Sequence, residues 1–557
     1  MCDEVSPCHK SGVQRNMNKN QHDMSGIVDL MRPQTTGSER KSHPIYVDLL
    51  PPCNEACPAG ENIQSWLAHA QAGDYYEAWL ELTKNNPFPA IHGRVCYHPC
   101  ETACNRVELN SSVSIHAVER FLGDKALEEN WQFQKNIPNS GKRVMVIGAG
   151  PSGLSAAYHL AMLGHTVEIF EAGPVSGGML HFGIPAYRLP RDILQKEVDR
   201  LITLGIKINL NHKITDVLND QKAGNFDAVY LAIGAQAGSN INIPARDSAK
   251  ILDAVDVLKK AGIGEKPLLG RKVVIYGGGN TAMDSARTAK RLGADDAIIV
   301  YRRDQNHMPA HQFEVEEALE EGVKIKWLST IKNMDGTNIT IEKVVLNDEG
   351  KPVPTGEFET LSADSLILAV GQTTETDFLR SVDGIEFKKD GTVIVDTHMQ
   401  TGHAGIFAGG DMVPADRTVT TAVGHGKKAA HYVNAWLRDT LYQPAAKHRV
   451  IHYQGMNLPI YSDATKSEQE ELSLSNRDNF NEIIEGLTEQ QAQYEAKRCL
   501  SCGNCYECDN CYAACPEGAI KKLGVGLGYS VDLDKCTGCA ACYEQCPCHA
   551  IDMQSEI

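Results

Sequence analysis

Between Arg106 and Arg498 the 557-residue chain has no cysteine, although it has eighteen in all. That gap excludes a disulfide reductase whose C-x-x-C pair sits inside a flavin or nucleotide domain. No run approaches 18 uninterrupted apolar residues, so no membrane span is expected. The stretch from Met1 to Arg40 lacks the apolar core of a secretory signal. Positive charge is in deficit: the net charge of −17 leaves no footprint for nucleic acid. The apolar fraction of 42% and charged fraction of 22% are those of an ordinary soluble protein, and the length predicts about three or four domains. The cysteines are spaced as metal ligands rather than as disulfide partners, which favours a reducing cytoplasm.

What the chain does have is thiols in tight groups. Cys505, Cys508, Cys511 and Cys515-Pro516 form one run, and Cys536, Cys539, Cys542 and Cys546-Pro547 repeat it. Both read C-x2-C-x2-C-x3-C-P, the spacing of bacterial two-cluster 4Fe–4S ferredoxins, in which the fourth cysteine of each run serves the other cluster. One cluster then takes Cys505, Cys508, Cys511 and Cys546, and the other takes Cys536, Cys539, Cys542 and Cys515. C-x2-C pairs also bind zinc, but a doubled run of four with trailing prolines favours iron–sulfur. Cys53, Cys57, Cys96, Cys100 and Cys104 cluster near the front, and Cys499 and Cys502 precede the repeated runs. Cys2, Cys8 and Cys548 are expected to bind nothing.

Residues 1–45 are polar and read as a disordered tail. From Asn62 to Leu82, Ile63, Trp66, Leu67, Ala70, Ala78, Trp79 and Leu82 recur at helical spacing, broken at Gly73-Asp74. Residues 46–135 therefore read as a small helical domain carrying the first cysteine group, and Pro138–Gly141 as a linker. At Arg143 the texture becomes strand, turn, helix: Val144–Ile147, the glycine turn Gly148, Gly150, Ser152 and Gly153, a helix from Leu154, and a strand Thr166–Phe170 ending at Glu171. This is a full dinucleotide fingerprint, with glycines for close approach to the pyrophosphate and an acid for the ribose. It recurs at Lys272–Tyr276 with Gly277, Gly279, Asn280, Thr281 and Ala282, but the next strand ends at Arg302 and Arg303. Arginine pairs with a 2′-phosphate where an acid would repel it, so the second site reads as NADP(H) and the first as FAD. Gly405–Asp411 is an apolar strand running into Gly-Gly-Asp, which places Asp411 at a flavin ribityl hydroxyl. Thr420, Thr421 and Ala422 then begin a helix aimed at the flavin.

Together these phrases resemble the small subunit of bacterial glutamate synthase and the flavin half of dihydropyrimidine dehydrogenase, over about residues 46–440. The residues that carry the resemblance are Cys53-x3-Cys57-Pro58, Cys96-x3-Cys100-x3-Cys104, Gly148–Gly153, Gly177-Gly178-Met179, Gly183–Pro185 with Arg188–Pro190, Gly277–Ala282, Tyr301–Arg303 and Gly405–Asp411. The resemblance implies an α/β fold: a helical iron–sulfur domain (46–135), an FAD-binding Rossmann-like domain (140–265 and 371–440) and an NADPH-binding Rossmann-like domain inserted in it (266–370). A linker (441–497) and an α+β ferredoxin-like module (498–557) follow. It adds Gly178 and Arg188 to the FAD residues. The family's Arg-Cys-x2-Cys-Gly phrase is missing from its usual place near the front, and Arg498–Gly503 looks like it, moved behind the core. The resemblance then implies one cluster on Cys53, Cys104, Cys499 and Cys502, and another on Cys57, Cys96 and Cys100. The fourth ligand of the latter is a side-chain oxygen at Glu119, which could equally be an ordinary exposed helical glutamate. Cys499 and Cys502 could instead serve the neighbouring ferredoxin-like module or a second copy of the chain, so a homodimer stays open.

The expected activity is that of an NADPH-dependent FAD iron–sulfur oxidoreductase with about four 4Fe–4S clusters. It would pass electrons singly between NADP(H) and ferredoxin or a partner redox enzyme, such as a 2-oxoacid oxidoreductase, a glutamate synthase large subunit or a sulfur-metabolising reductase. The alternatives are a self-contained reductase of a small molecule at the flavin, and a redox-sensing or scaffold protein.

Overall fold

The structure, a computed structural model, describes residues 40–238, 243–246, 250–458 and 463–556. They divide into a larger unit, Asp48–Asn504 with Pro547–His549, and a smaller one made of the described residues up to Val47 with Cys505–Cys546 and the chain's end from Ala550.

The larger unit opens with helices. α1 (Ile63–Ala72) and α2 (Tyr75–Thr83) part at Gly73, whose φ of +88° is the left-handed turn that glycine adopts without a Cβ penalty. The seven apolar residues that predict these helices are all buried. α3 (Pro89–Val95) starts on a proline, whose missing N–H is no loss in the first turn. It packs on α4 (Ile115–Glu128) with almost no side chain between them: a Cβ on Gly123 would lie 2.1 Å from Ala90 N, and one on Gly93 would lie 2.4 Å from Arg120 N. This closeness brings Cys96, at the end of α3, to the face of α4 that carries Glu119.

Two parallel sheets follow. β1 (Arg143–Ile147), β2 (Thr166–Phe170), β3 (Lys207–Asn209) and β4 (Ala228–Leu231) belong to the first, with α5 (Pro151–Met162) as the crossover after β1. The chain then leaves to build a second sheet from β5 (Ile251–Asp253), β6 (Lys272–Tyr276), β7 (Asp296–Val300), β8 (Lys324–Lys326) and β9 (Ser365–Leu368), with α6 (Asn280–Arg291) after β6. It returns with β10 (Ile406–Ala408) and α7 (Val419–Leu437). The strand orders are β10-β4-β1-β2-β3 and β8-β7-β6-β9-β5. β1, β4, β6 and β9 are nearly continuous buried apolar runs, as parallel strands covered on both faces must be. The second domain is thus inserted in the first. An antiparallel sheet that the sequence reading did not anticipate, Ser329–Asp335 with Asn338–Leu346 and Pro352–Ser362, lies between β8 and β9; its first turn is the two-residue loop Gly336-Thr337, with Gly336 at φ +59° in the first loop position.

Arg188 joins the two nucleotide domains. It donates to both carboxylate oxygens of Asp284 at 3.0 Å and pairs with Glu314 at 2.5 Å. Beside it the buried Tyr187 ring lies 3.9 Å from the Arg291 guanidinium. The stretch expected as a linker, 441–497, is held along much of its described length. Asn479 O accepts from Arg291 Nε, Ile483 N donates to Tyr187 O, and Glu482 meets Arg94 at 2.7 Å and Arg120 at 3.0 Å. It ends in α8 (Glu489–Lys497), opened by a Thr488–Gln491 capping box. Its polar composition hides this role, because its anchors are ion pairs and backbone bonds rather than an apolar stripe.

In the smaller unit Ser42–Tyr46 pairs antiparallel with Ile551–Ser555, Ile520–Gly524 forms a hairpin with Gly528–Val531, and short helices Asn510–Ala514 and Ala541–Glu544 carry cysteines. Residues 42–45 are therefore strand rather than tail. Their partner lies some five hundred residues away, so local composition could not reveal it. The tail before Arg40 lies outside the described residues. No helix among the described residues is long and apolar enough to cross a membrane.

Substituting Gly123→Val should force α3 and α4 apart and lower stability by about 1–3 kcal/mol, the usual cost of overpacking. A denaturation midpoint unchanged from the parent protein would contradict the close packing.

Candidate functional site: a nucleotide cavity beside two cysteine pockets

A cavity of about 670 Å³ runs between the two parallel-sheet domains. The glycine turns show why it is there. Gly148 (φ +105°) and Gly277 (φ +154°) sit against the next strand's exit: a Cβ would lie 2.3 Å from Ala232 O in one and 2.2 Å from Ala369 O in the other. Gly150 and Gly279 differ. A Cβ on Gly150 would meet only Gly178 Cα at 3.9 Å, and one on Gly279 would meet nothing within 4 Å. Both face the cavity, so each turn has one glycine for the bend and one that leaves bare backbone toward a ligand. These open cradles fit two dinucleotides.

On the first-sheet side Ser152, Gly178 and Asp411 line the cavity; burial pushes the Asp411 carboxyl up to about 6, against the opposing pull of Arg417. Gly153 seals the turn, since its Cβ would lie 2.0 Å from Gly148 O. Glu171 is buried and accepts from Ala149 N at 2.8 Å and from Gly173 N at 2.7 Å. It borders a second cavity, of about 250 Å³, together with Gly148 and Gly150. Arg188, expected at FAD, also borders the main cavity, yet its guanidinium is engaged by Asp284 and Glu314 of the inserted domain. On the second-sheet side Asn280, Thr281, Arg302 and Arg303 line the cavity, while Ala282 is buried behind them. Arg303 Nε is buried without a hydrogen-bond partner. An orphaned donor there suits a phosphate.

The start of α7 contributes in two directions. Its N-cap Thr418 accepts from Thr421 N at 3.1 Å, and Thr418, Val419 and Ala422 line the cavity. Thr420 turns away, and its hydroxyl donates to Cys96 Sγ at 3.1 Å. Tyr97, which the sequence reading missed, closes the cavity between the domains. Its hydroxyl accepts from Asn280 Nδ2 at 2.6 Å, and its ring stacks 3.7 Å from that of His311.

Behind this wall the cysteines of the larger unit fall into two pockets. Cys53, Cys104, Cys499 and Cys502 line one, so the relocated pair meets the front group within the unit. Cys57, Cys96, Cys100 and Glu119 line the other, with Glu61, His92 and Thr420. In the first, burial and then the neighbouring Cys499, Cys104 and Cys502 push the Cys53 thiol far up. Buried thiols crowded in this way call for a metal centre, which deprotonates its thiol ligands outright. Glu119 is buried, not exposed. Asn86 Nδ2 bridges it to Glu61, at 2.7 Å and 3.0 Å, and burial pushes both carboxyls up, Glu61 to about 7. Both ring nitrogens of His92, 3.9 Å from Glu119 at the nearer, are buried without hydrogen-bond partners. Glu61 and His92 each stand four residues from a cysteine in the sequence, a signal too common to mark them.

In the smaller unit Cys515, Cys536, Cys539 and Cys542 line one pocket. Cys505 lies near Cys508, Cys511 and Cys546, and Tyr46 Oη is 3.2 Å from Cys511 Sγ. The grouping follows the crossed arrangement of a two-cluster ferredoxin. Cys548 is buried, and Cys2 and Cys8 lie outside the described residues.

Comparison with known proteins agrees with this layout. Residues 142–426 match the pyridine nucleotide-disulphide oxidoreductase family, 49–131 match dihydropyrimidine dehydrogenase domain II with its 4Fe-4S cluster, and 504–550 match the 4Fe-4S dicluster domain. The chain is 35% identical to the NADP(+)-dependent formate dehydrogenase subunit beta of Moorella thermoacetica, covering 81% of this chain and 70% of that one. It is 30% identical to the NADPH-Fe(3+) oxidoreductase subunit beta of Geobacter sulfurreducens, with coverage of 81% and 75%. It is 32% identical to the glutamate synthase [NADPH] small chain of Escherichia coli, with coverage of 70% and 89%.

Replacing either Arg302 or Arg303 by alanine should raise KM for NADPH about ten- to a hundred-fold, since each charged hydrogen bond contributes roughly 1.5–3 kcal/mol. KM for NADH should barely move, and an equal rise for both nucleotides would contradict a 2′-phosphate site. The chain belongs to the pyridine nucleotide-disulphide oxidoreductase family, among the NADPH-dependent FAD and iron–sulfur oxidoreductases that resemble the glutamate synthase small chain.

Proposed function

We propose that the protein passes electrons singly between NADP(H) and a partner redox enzyme, through FAD and about four 4Fe–4S clusters. The observation that carries this reading is the common wall. Val95 and Tyr97 line the nucleotide cavity, and Cys96, between them, lines a cysteine pocket. FAD held there would supply the conversion of a two-electron hydride from reduced nicotinamide into single electrons.

The chain's own residues position and neutralise. The backbone at Gly150 and Ser152, with Glu171 and Asp411, holds FAD. Gly279, Asn280 and Thr281 hold the pyrophosphate of NADPH at the start of α6, where free N–H groups and the helix dipole favour anions. Arg302 and Arg303 take the 2′-phosphate. The clasp of Arg188 on Asp284 and Glu314 keeps the two nucleotide domains in register, as positioning a hydride donor requires. Cys53, Cys104, Cys499 and Cys502 hold one cluster, and Cys57, Cys96 and Cys100 with Glu119 hold another. The two ferredoxin-type clusters take Cys505, Cys508, Cys511 and Cys546, and Cys536, Cys539, Cys542 and Cys515. Only Gly503 and Asn504 separate Cys502 from Cys505 in the sequence, so the chain runs directly from one thiol group into the next.

A partner is favoured over a small-molecule acceptor because two clusters beyond the flavin domain serve no purpose in a self-contained reductase. The relatives named above are subunits, one of a formate dehydrogenase, one of an Fe(3+) oxidoreductase and one of glutamate synthase. The acceptor here is proposed to be a catalytic subunit of that general kind, working in the cytoplasm.

Protein purified anaerobically should contain about sixteen irons and one FAD per chain. It should oxidise NADPH rapidly with one-electron dyes and slowly with small organic acceptors. An iron content near eight would remove the clusters from the helical domain, and turnover confined to a small molecule would favour the self-contained reductase.

A further inference from the structure

Three positions on α7 meet the cysteine-bearing loops, at the i, i+4 and i+7 spacing of one helix face. The Thr420 hydroxyl donates to Cys96 Sγ at 3.1 Å. Gly424 lies so close to the residue after Cys57 that a Cβ would stand 2.1 Å from Pro58 O. Lys427 Nζ donates to Ala59 O at 3.1 Å and Gly60 O at 3.2 Å. The first turn of the same helix lines the nucleotide cavity through Val419 and Ala422. Cys96 is flanked on both sides by cavity-lining residues, whereas no neighbour of Cys53, Cys104, Cys499 or Cys502 in the sequence lines that cavity among the described residues.

We infer that Thr420 is a positioning residue whose hydroxyl sets the reduction potential of the cluster held by Cys57, Cys96 and Cys100. This rests on the proposal that these cysteines bind a cluster. A hydrogen bond to a ligating sulfur stabilises the more negative, reduced cluster and so raises its potential. The step itself adds one electron, supplied by NADPH through the flavin, to an oxidised cluster; no bond breaks and no proton is required. The hydroxyl therefore makes the cluster beside the cavity easier to reduce than it would be with an apolar residue at 420.

The test is a redox titration of the purified holoprotein, monitored by electron paramagnetic resonance, for the parent, Thr420→Val and Thr420→Ser. In Thr420→Val one cluster should become harder to reduce by about tenfold in its reduced-to-oxidised ratio at fixed potential, about 59 mV for one electron. The serine variant should keep the parent value, and the flavin and the remaining clusters should not shift. If valine disturbs iron content, Thr420→Ala reads the same midpoint. Full iron content with every midpoint unchanged in the valine and alanine variants overturns the role of Thr420. Cys96→Ser separates this failure from that of the cluster itself. Iron loss or an altered spectrum in Cys96→Ser keeps the cluster, whereas full iron and an unaltered spectrum remove it.

Discussion

Helix α7 is wedged on two sides too tightly for any side chain at Gly424 and Gly426, and the relation between the nucleotide cavity and the cysteine pockets depends on that fit. On one side a Cβ at Gly426 would lie 2.4 Å from Ser152 O, in the first turn of the dinucleotide helix α5. On the other, Gly424 abuts Pro58 O, next to a cysteine. Two glycines two residues apart thus let one helix touch the wall of the cavity and the loop of a cysteine pocket at once. The same economy of side chains recurs at Gly93 and Gly123, which bring the end of α3, and Cys96 with it, to Glu119. Cavity and pocket are neighbours because backbones approach closely.

The electrostatics of the two regions differ in kind. At the cavity, charge is paired across domains where Arg188 meets Asp284 and Glu314, and within the inserted domain Arg287 and Arg291 meet Glu321. Buried pairs of this sort fix geometry more dependably than they add stability, which suits two domains that must keep a nicotinamide and a flavin in register. In the pocket of Cys57, Cys96 and Cys100 the carboxyls of Glu61 and Glu119 are pushed up by burial and share the amide of Asn86. The hydroxyl of Thr420 and the ammonium of Lys427 approach from α7.

Local patterns were legible in the sequence; distant meetings were not. In each domain the glycine turn, its flanking strands and the residue that closes them, Glu171 in one and Arg302 with Arg303 in the other, lie within about thirty residues of chain, and both domains follow from them. The repeated cysteine runs are equally local. The nesting of one domain in the other and the meeting of Cys53 and Cys104 with Cys499 and Cys502 came from the resemblance, because nothing in either segment points to the other. The strand Ser42–Tyr46 was missed for the same reason, its partner being the last strand of the chain. The burial of Glu119 depends on Asn86 and Glu61, which belong to other segments, and a glutamate in a helix beside Arg120 looks solvated until they are in place. The stretch 441–497 looked like a linker since its anchors, Glu482 and Ile483 among them, bind residues far away in the sequence.

The central claim is that paired electrons enter at the nucleotide cavity and leave one at a time through the cysteine-bound clusters. Stepwise anaerobic addition of NADPH, followed by visible absorbance and electron paramagnetic resonance on the same sample, tests it most directly. The account predicts that flavin bleaching is accompanied by paramagnetic signals of reduced clusters, with uptake exceeding about one NADPH equivalent per chain. Bleaching that ends at one equivalent with no paramagnetic signal would contradict it.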